Sequence, residues 1–182
     1  YHIIFDLKDG FYQQKLTKKS SLLTGFTLSA QMGQYAGSWV YKSLPQGLRS
    51  SPDHFNEITD HYLTMNGAIK DCRKVMDDIL ISSPDFETLR ERALELMKRL
   101  KAGNVKLSRQ KIQIGRSVKY VGLRIIENQV LPDENRIRPL LKLKPPKSVS
   151  EVRGFLGYVN ALSIWNPNLA IKLKAIHELT KK

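Results

Sequence analysis

The sequence predicts an α+β fold, an antiparallel sheet with helices on one face, followed by a small helical segment. Three observations predict it. Short apolar runs rich in β-branched and aromatic residues alternate with two amphipathic stretches that carry helix start and stop signals. Two of the apolar runs are joined by a turn too tight for a helical crossover, so they pair as a hairpin. After Leu131 the chain turns Pro-rich and basic, and further helix signals follow.

In order along the chain, YHIIFDL reads as a buried strand. FTLSA and SWVYKSL read as two more, separated by a turn around Gly33 and Gly37. In SSPDHFNEITDHYLTMNG, Ser51 is placed to cap a helix and Pro52 to open it. Phe55, Ile58 and Tyr62 form its apolar face, and Asn66 with Gly67 ends it. KVMDDILISS reads as strand, tight turn, strand. SPDFETLRERALELMKRLKAGN repeats the helix grammar, with Ser83 as cap, Pro84 first, Asp85 and Glu87 in the first turn, and Gly103 at the end. Its stripe is Leu89, Ala93, Leu96 and Leu100. KIQIG and VKYVGLRI are strands again, which leaves one face of the sheet open. LPDENRIRPLLKLKPPKS is a connector. SVSE, residues 148–151, is a capping box before the stripe Val152, Phe155, Leu156 and Val159. A last helix with Leu169, Leu173 and Ile176 follows Pro167. The expected division is 1–127 for the sheet domain, 128–147 for a hairpin and basic linker, and 148–182 for the helical segment.

The 182 residues with 41% hydrophobic content suffice for a sizeable core. Charge interrupts the apolar runs well before the ~20 residues of a membrane-spanning helix, and the first residues do not resemble a signal peptide. A soluble intracellular protein with no membrane partner is expected. Cys72, the one cysteine, allows no internal disulfide and no cysteine metal cage. The net charge is +13, from thirty Lys and Arg against seventeen Asp and Glu. No acid lies between Asp9 and Asp53, nor between Glu95 and Glu127. The second gap holds Lys98, Arg99, Lys101, Lys106, Arg109, Lys111, Arg116, Lys119 and Arg124. Such segregation suits a polyanion-binding surface, because each phosphate contact releases counterions.

Against that background Asp77 and Asp78 interrupt an apolar run, and Asp6 ends the first strand. If that strand lies beside the hairpin, the carboxylates converge and repel one another unless hard cations bind. Mg²⁺ takes oxygen ligands and bridges carboxylates to phosphates, and a pair of such ions serves phosphoryl transfer. Taken alone, two adjacent acids also fit an ordinary turn, and Asp9 with Gly10 fits an ordinary hairpin.

Four blocks in order, FDLKDGFYQQKL, LPQGLRSSPDHF, VMDDIL and YVGLRI, followed by PPKSVSEVRGFLGYVN and ELTKK, resemble the reverse transcriptases of gypsy-type long-terminal-repeat retrotransposons over nearly the whole chain. The resemblance implies a polymerase palm with a ferredoxin-like βαββαβ core, then the start of a helical thumb. It implies RNA-directed DNA polymerase activity, with Asp6 and Asp77 ligating two Mg²⁺ ions (or Mn²⁺) and Asp78 supporting them. Phe11 stands at the family's aromatic gate, which excludes a 2′ hydroxyl; read from the residues alone, a lone Phe is a core aromatic. Gln46 and Gly47 match the nucleotide-contacting positions, and Gly permits close backbone approach. Lys111 matches a lysine near the leaving pyrophosphate and equally joins the basic face. Tyr120, Val121 and Gly122 match the primer-grip hairpin, or pack as an apolar strand.

Two departures stand out. Val75 replaces the usual aromatic two residues before the acidic pair, and NALSIWNPNLA, residues 160–170, lacks the aromatics and basic residues of a gypsy thumb, although Trp165 is placed to anchor it. The implied partners are an RNA or DNA template with primer, deoxynucleoside triphosphates, and the fingers, connection and ribonuclease H parts of a polyprotein. Uncovered apolar surface adds self-association. The implied location is the cytoplasm, within virus-like particles. A competing expectation is a non-catalytic nucleic-acid-binding or assembly module derived from such an enzyme, in which the acids survive as turn residues.

Overall fold

The computed structural model describes residues 1–180; Lys181 and Lys182, the end of the ELTKK block, lie outside the described residues. The chain divides into two compact units, the first Tyr1–Val118 and the second beginning at Lys119. The sequence-based boundary was residue 127.

Within the first unit, β1 (His2–Asp6) leads through the short helices α1 (Gly10–Gln13) and α2 (Lys18–Leu22) to the strands β2 (Phe26–Leu28) and β3 (Gly37–Trp39). These two pair with each other, separated by a 3-10 segment at Ala30–Tyr35 that Gly33 bends with φ 56°. Then come α3 (Ser51–Thr64), β4 (Cys72–Val75), β5 (Asp78–Ser82), α4 (Phe86–Ala102) and β6 (Gln113–Gly115). The main sheet has the order β4-β5-β1-β6 and every pairing is antiparallel. With α3 and α4 as its two crossovers, this is the expected βαββαβ core.

Alternation along the strands sorts the two faces. Ile3, Phe5, Ile79 and Ile81 join Phe55 of α3 and Leu89, Ala93, Leu96 and Leu100 of α4 in one core. Ile4 pairs with Leu80, and Asp6 with Asp78, on the other face. The sequence led us to expect that face to stay open, but Ile4 and Leu80 on it are buried.

Both helix starts differ from expectation because other groups claim the two serines, one from the preceding loop and one from the far end of the chain. Ser51 is no cap; it is fully buried and its hydroxyl donates to the Pro45 carbonyl at 2.7 Å, while Ser50 takes the cap position. Its neighbours on the buried face are Phe55 and Thr59, and Ile58 is exposed. At α4, Ser83 is still tied to the sheet, donating its N–H to Tyr1 O at 2.9 Å and accepting from the Tyr1 ammonium at 2.7 Å. The helix therefore begins after Asp85, whose carboxylate accepts from the Thr88 N–H. Arg99, counted with the basic surface in the sequence, is buried, donating to Glu95 and to the carbonyls of Leu63 and Gly67 at the end of α3.

The unit boundary falls within β7 (Ser117–Tyr120), the first strand of a three-stranded sheet in the order β7, β8 (Leu123–Ile126), β9 (Gln129–Pro132). The second unit continues with α5 (Glu134–Leu141), α6 (Val149–Asn160) and α7 (Leu169–Glu178). β9 takes up the hairpin expected from residue 128, and where the basic connector was expected the chain forms α5, capped by Asp133 and containing Pro139. Half of the capping box forms, Ser148 accepting from the Glu151 N–H, whereas Glu151 accepts from the Lys147 N–H at 2.8 Å, one residue before the cap. Val152 and Leu156 pack with Leu169 and Leu173 in a small core of their own. No described helix is long and apolar enough to cross a membrane.

Candidate active site

The β4–β5 turn places Met76 and Asp77 at one end of the main sheet. Met76 adopts φ 52°, left-handed backbone that a residue with a side chain takes at a cost. Leu7 N–H donates to Asp77 O at 2.9 Å, which docks the turn on the end of β1. Asp6 and Asp78 are direct cross-strand partners. Asp6, Asp77 and Asp78 thus lie at the same end of the sheet.

Their surroundings are unequal. Asp6 Oδ1 accepts from Lys111 Nζ at 2.9 Å. Asp77 Oδ1 is buried with no hydrogen-bond partner among the described residues. Burial first, then the charges of Asp6 and Asp78, push the Asp77 carboxyl above the usual carboxylate range. Burial and Asp6 do the same to Asp78. The hydrogen bond to Asp6 raises Lys111 above the ordinary lysine value, with the Asp6, Asp78 and Asp77 charges adding to it.

Gly10, read in the sequence as a turn signal, has a second role. A Cβ there would lie 2.6 Å from Asp77 Oδ1 and 2.9 Å from Phe55 Cζ. Only a glycine lets the Asp77 carboxylate lie against α1. Gln13 is a further residue that the sequence did not single out. Its amide nitrogen donates to the carbonyls of Lys8 and Lys106, and its oxygen accepts from Lys106 N–H at 2.6 Å. Together with Ser108 N–H on Asp6 O at 2.8 Å, these bonds bring the Lys111-bearing segment beside Asp6. Beside it lies a cleft of about 720 Å³ whose rim carries Lys8, Lys101, Lys106 and Arg109 over Leu100 and Val105.

Phe11 is buried and stacks on Phe55, centroids 4.6 Å apart and planes 13° from parallel. Gln46 and Gly47 are exposed, and Gly47 has φ 92°, open to glycine. In the second unit, Tyr120 is buried at the end of β7, and Val121 and Gly122 form the following turn with φ 49° and 72°. A Cβ at Gly122 would meet the Arg136 guanidinium at 2.3 Å. Val75 is exposed. Trp165 donates its indole N–H to Val130 O at 2.7 Å, the anchoring contact expected of it.

The carboxylate oxygens suit a hard cation, and the unpartnered Asp77 Oδ1 gives such an ion a ligand that the protein itself leaves unsatisfied. Among the described residues, no three Asp, Glu, His or Cys side chains are gathered closely enough to hold an ion as they stand. Asp6 is engaged with Lys111.

A βαββαβ antiparallel sheet backed by two helices, with acids raised at one end, has the architecture of a polymerase palm. A foamy viral protease–reverse transcriptase solved with double-stranded DNA matches over 98% of this chain and 30% of its own, with a TM-score of 0.88 at 24% identity. The same viral protein solved with an RNA/DNA hybrid matches over 99% of this chain and 24% of its own, with a TM-score of 0.81 at 22% identity. Residues 1–125 match the family model of the reverse transcriptase (RNA-dependent DNA polymerase), and the chain belongs to that family. It is 27% identical over 186 residues to the Gag-Pol polyprotein of Woolly monkey sarcoma virus, covering 100% of this chain and 11% of the relative. It is 31% identical over 149 residues to the Transposon Tf2-3 polyprotein of Schizosaccharomyces pombe, covering 80% of this chain and 11% of the relative. The chain thus spans 11% of each of these curated relatives. Members of this family generally use divalent metal ions.

Proposed function

We propose that this chain is the palm and the start of the thumb of an RNA-directed DNA polymerase of the gypsy retrotransposon type, working on a primed RNA or DNA template with deoxynucleoside triphosphates. The observation that carries the reading is the buried, unpartnered Asp77 Oδ1 beside the cross-strand pair Asp6 and Asp78. Such an arrangement is costly unless a cation completes it.

In this reading Asp6 and Asp77 hold two Mg²⁺ ions, which Mn²⁺ would replace, and Asp78 lends further negative charge. Bound there, the ions would stabilise the attacking and leaving oxygens of nucleotidyl transfer. Lys111, released from Asp6, holds a proton close to where pyrophosphate departs. Phe11, fixed by its stack on Phe55, limits the space beneath the sugar and selects deoxynucleotides. Gln46 and Gly47 contact the nucleotide, and the exposed Gly47 lets backbone approach the base pair. Tyr120, Val121 and Gly122 hold the primer end. The cationic cleft rim and the acid-free tracts supply the polyanion-binding surface.

Exposed Leu22, Leu23, Met32, Tyr35 and Trp39 in the 16–48 region call for a covering polypeptide, either the rest of a polyprotein (fingers, connection and ribonuclease H) or a second copy. Sedimentation as a clean monomer at micromolar concentration would count against association of the isolated chain. The place of action in this reading is the cytoplasm, within virus-like particles. The direct test is Mg²⁺-dependent primer extension with wild type and Asp77→Asn. One observation favours the non-catalytic alternative: Lys111 already neutralises Asp6. That alternative requires salt-sensitive binding to primed template and no extension, with binding unchanged by Asp6→Asn or Asp77→Asn.

A further inference from the structure

Lys74 lies on the wrong face for a lysine. In β4 it stands opposite Ile79, on the side of the sheet that packs against the helices, and its side chain is only 5% exposed. An apolar residue would serve packing there without the cost of burying a charge. The ammonium instead has a set of partners, all on α3. It donates to Asn56 Oδ1 at 2.6 Å, pairs with Asp60 Oδ1 at 3.2 Å, and lies 5.8 Å from the centre of the Phe55 ring.

Because lysine only donates, it fixes the Asn56 amide with its oxygen toward Lys74 and its nitrogen elsewhere. That nitrogen faces Met76 Sδ at 3.8 Å. Met76 is the left-handed residue of the acid-bearing turn, and Asp77 follows it. Phe55, beneath the same ammonium, packs where Gly10 leaves room for Asp77 Oδ1.

We propose that Lys74 of β4 and Asn56 of α3 form a latch that holds the Met76–Asp77 turn and so aims the Asp77 carboxylate across Gly10. Neither residue touches substrate; both are positioning residues. Their importance for chemistry rests on the polymerase reading, whereas the latch itself does not.

The test uses Lys74→Met, Asn56→Leu and the double variant, and reads amide hydrogen exchange. Leu7 N–H, bonded to Asp77 O at 2.9 Å, reports the seating of the turn, and Ser83 N–H, bonded to Tyr1 O at 2.9 Å, reports the far end of the same strand pair. Each single variant is expected to speed exchange at Leu7 roughly tenfold and to leave Ser83 within about twofold. The double variant should add little to the larger single effect, because the two residues act as a unit. In primer extension, kcat should fall while KM for the nucleotide stays unchanged. Unchanged exchange at Leu7, equal acceleration at both amides, or additive single effects would overturn the latch. Selective exchange at Leu7 in a chain that shows no extension in any form would support the latch and count against the polymerase reading.

Discussion

Gly10→Ala is the sharpest perturbation that the site geometry offers. The added methyl would lie 2.6 Å from Asp77 Oδ1, short of ordinary contact at 3.4 Å by about 0.8 Å. On its other side Phe55 Cζ and Cε2 stand at 2.9 and 3.0 Å, and Phe55 is fully buried with Phe11 stacked on it. The ring has nowhere to go, so the carboxylate must move. A displacement approaching 1 Å of a reacting group costs about 10²-fold in rate. Stability should change less: overpacking costs about 1–3 kcal/mol, offset by up to ~1 kcal/mol of helix propensity from losing a glycine. The assay is single-nucleotide extension of a primed template alongside thermal melting, with Gly154→Ala as control. Gly154 lies inside α6 with nothing within 4 Å of a Cβ, so its alanine variant should be stabilised by about 0.5–1 kcal/mol with unchanged extension. A Gly10→Ala chain that extends at the wild-type rate would refute the placement of Asp77 against α1.

Gly103→Ala would put a methyl 2.2 Å from Tyr62 Cε1 where α4 ends against α3; a loss of about 1–3 kcal/mol in urea unfolding is expected, and an unchanged midpoint would contradict the packing. Burial pushes the Cys72 thiol up to about 11, so alkylation of the folded chain should be slow at pH 8 and rise with a midpoint near that value. In concentrated urea the midpoint should fall to ~8.5. Bonding to the Thr88 N–H holds the Asp85 carboxyl below the usual carboxylate range, so its stabilisation is full above the unfolded carboxylate value and is lost as pH falls through the lowered folded value. Melting of Asp85→Asn against wild type should therefore differ at neutral pH and converge in strong acid.

What the sequence made legible was set by local chemistry. Periodicity alone placed β1, the β4–β5 hairpin and the Leu89–Ala93–Leu96–Leu100 stripe, all of which the fold uses as expected. The cap at Ser148 is legible for the same reason, since its partners are three residues apart. Ser51 and Ser83 misled because contacts outside the helix claim them: the carbonyl of Pro45, six residues upstream, takes one hydroxyl, and the distant N-terminal residue takes the backbone of the other. The helix α5 was hidden by Pro139 and the run of cations, which read as a connector. In the site, the acids announced themselves by interrupting an apolar run. Gly10, Gln13, Lys74 and Asn56 did not, because their roles exist only once α1, α3 and the hairpin meet. No periodicity reports a missing Cβ beneath a carboxylate sixty-seven residues away.

The measurement that tests the central claim most directly is extension of an oligo(dT)-primed RNA template with dTTP and Mg²⁺, comparing wild type with Asp77→Asn. Wild type should extend the primer, the variant should not, and both should bind the primed template equally. Equal extension by the two chains, or none by either while both bind, would contradict the claim.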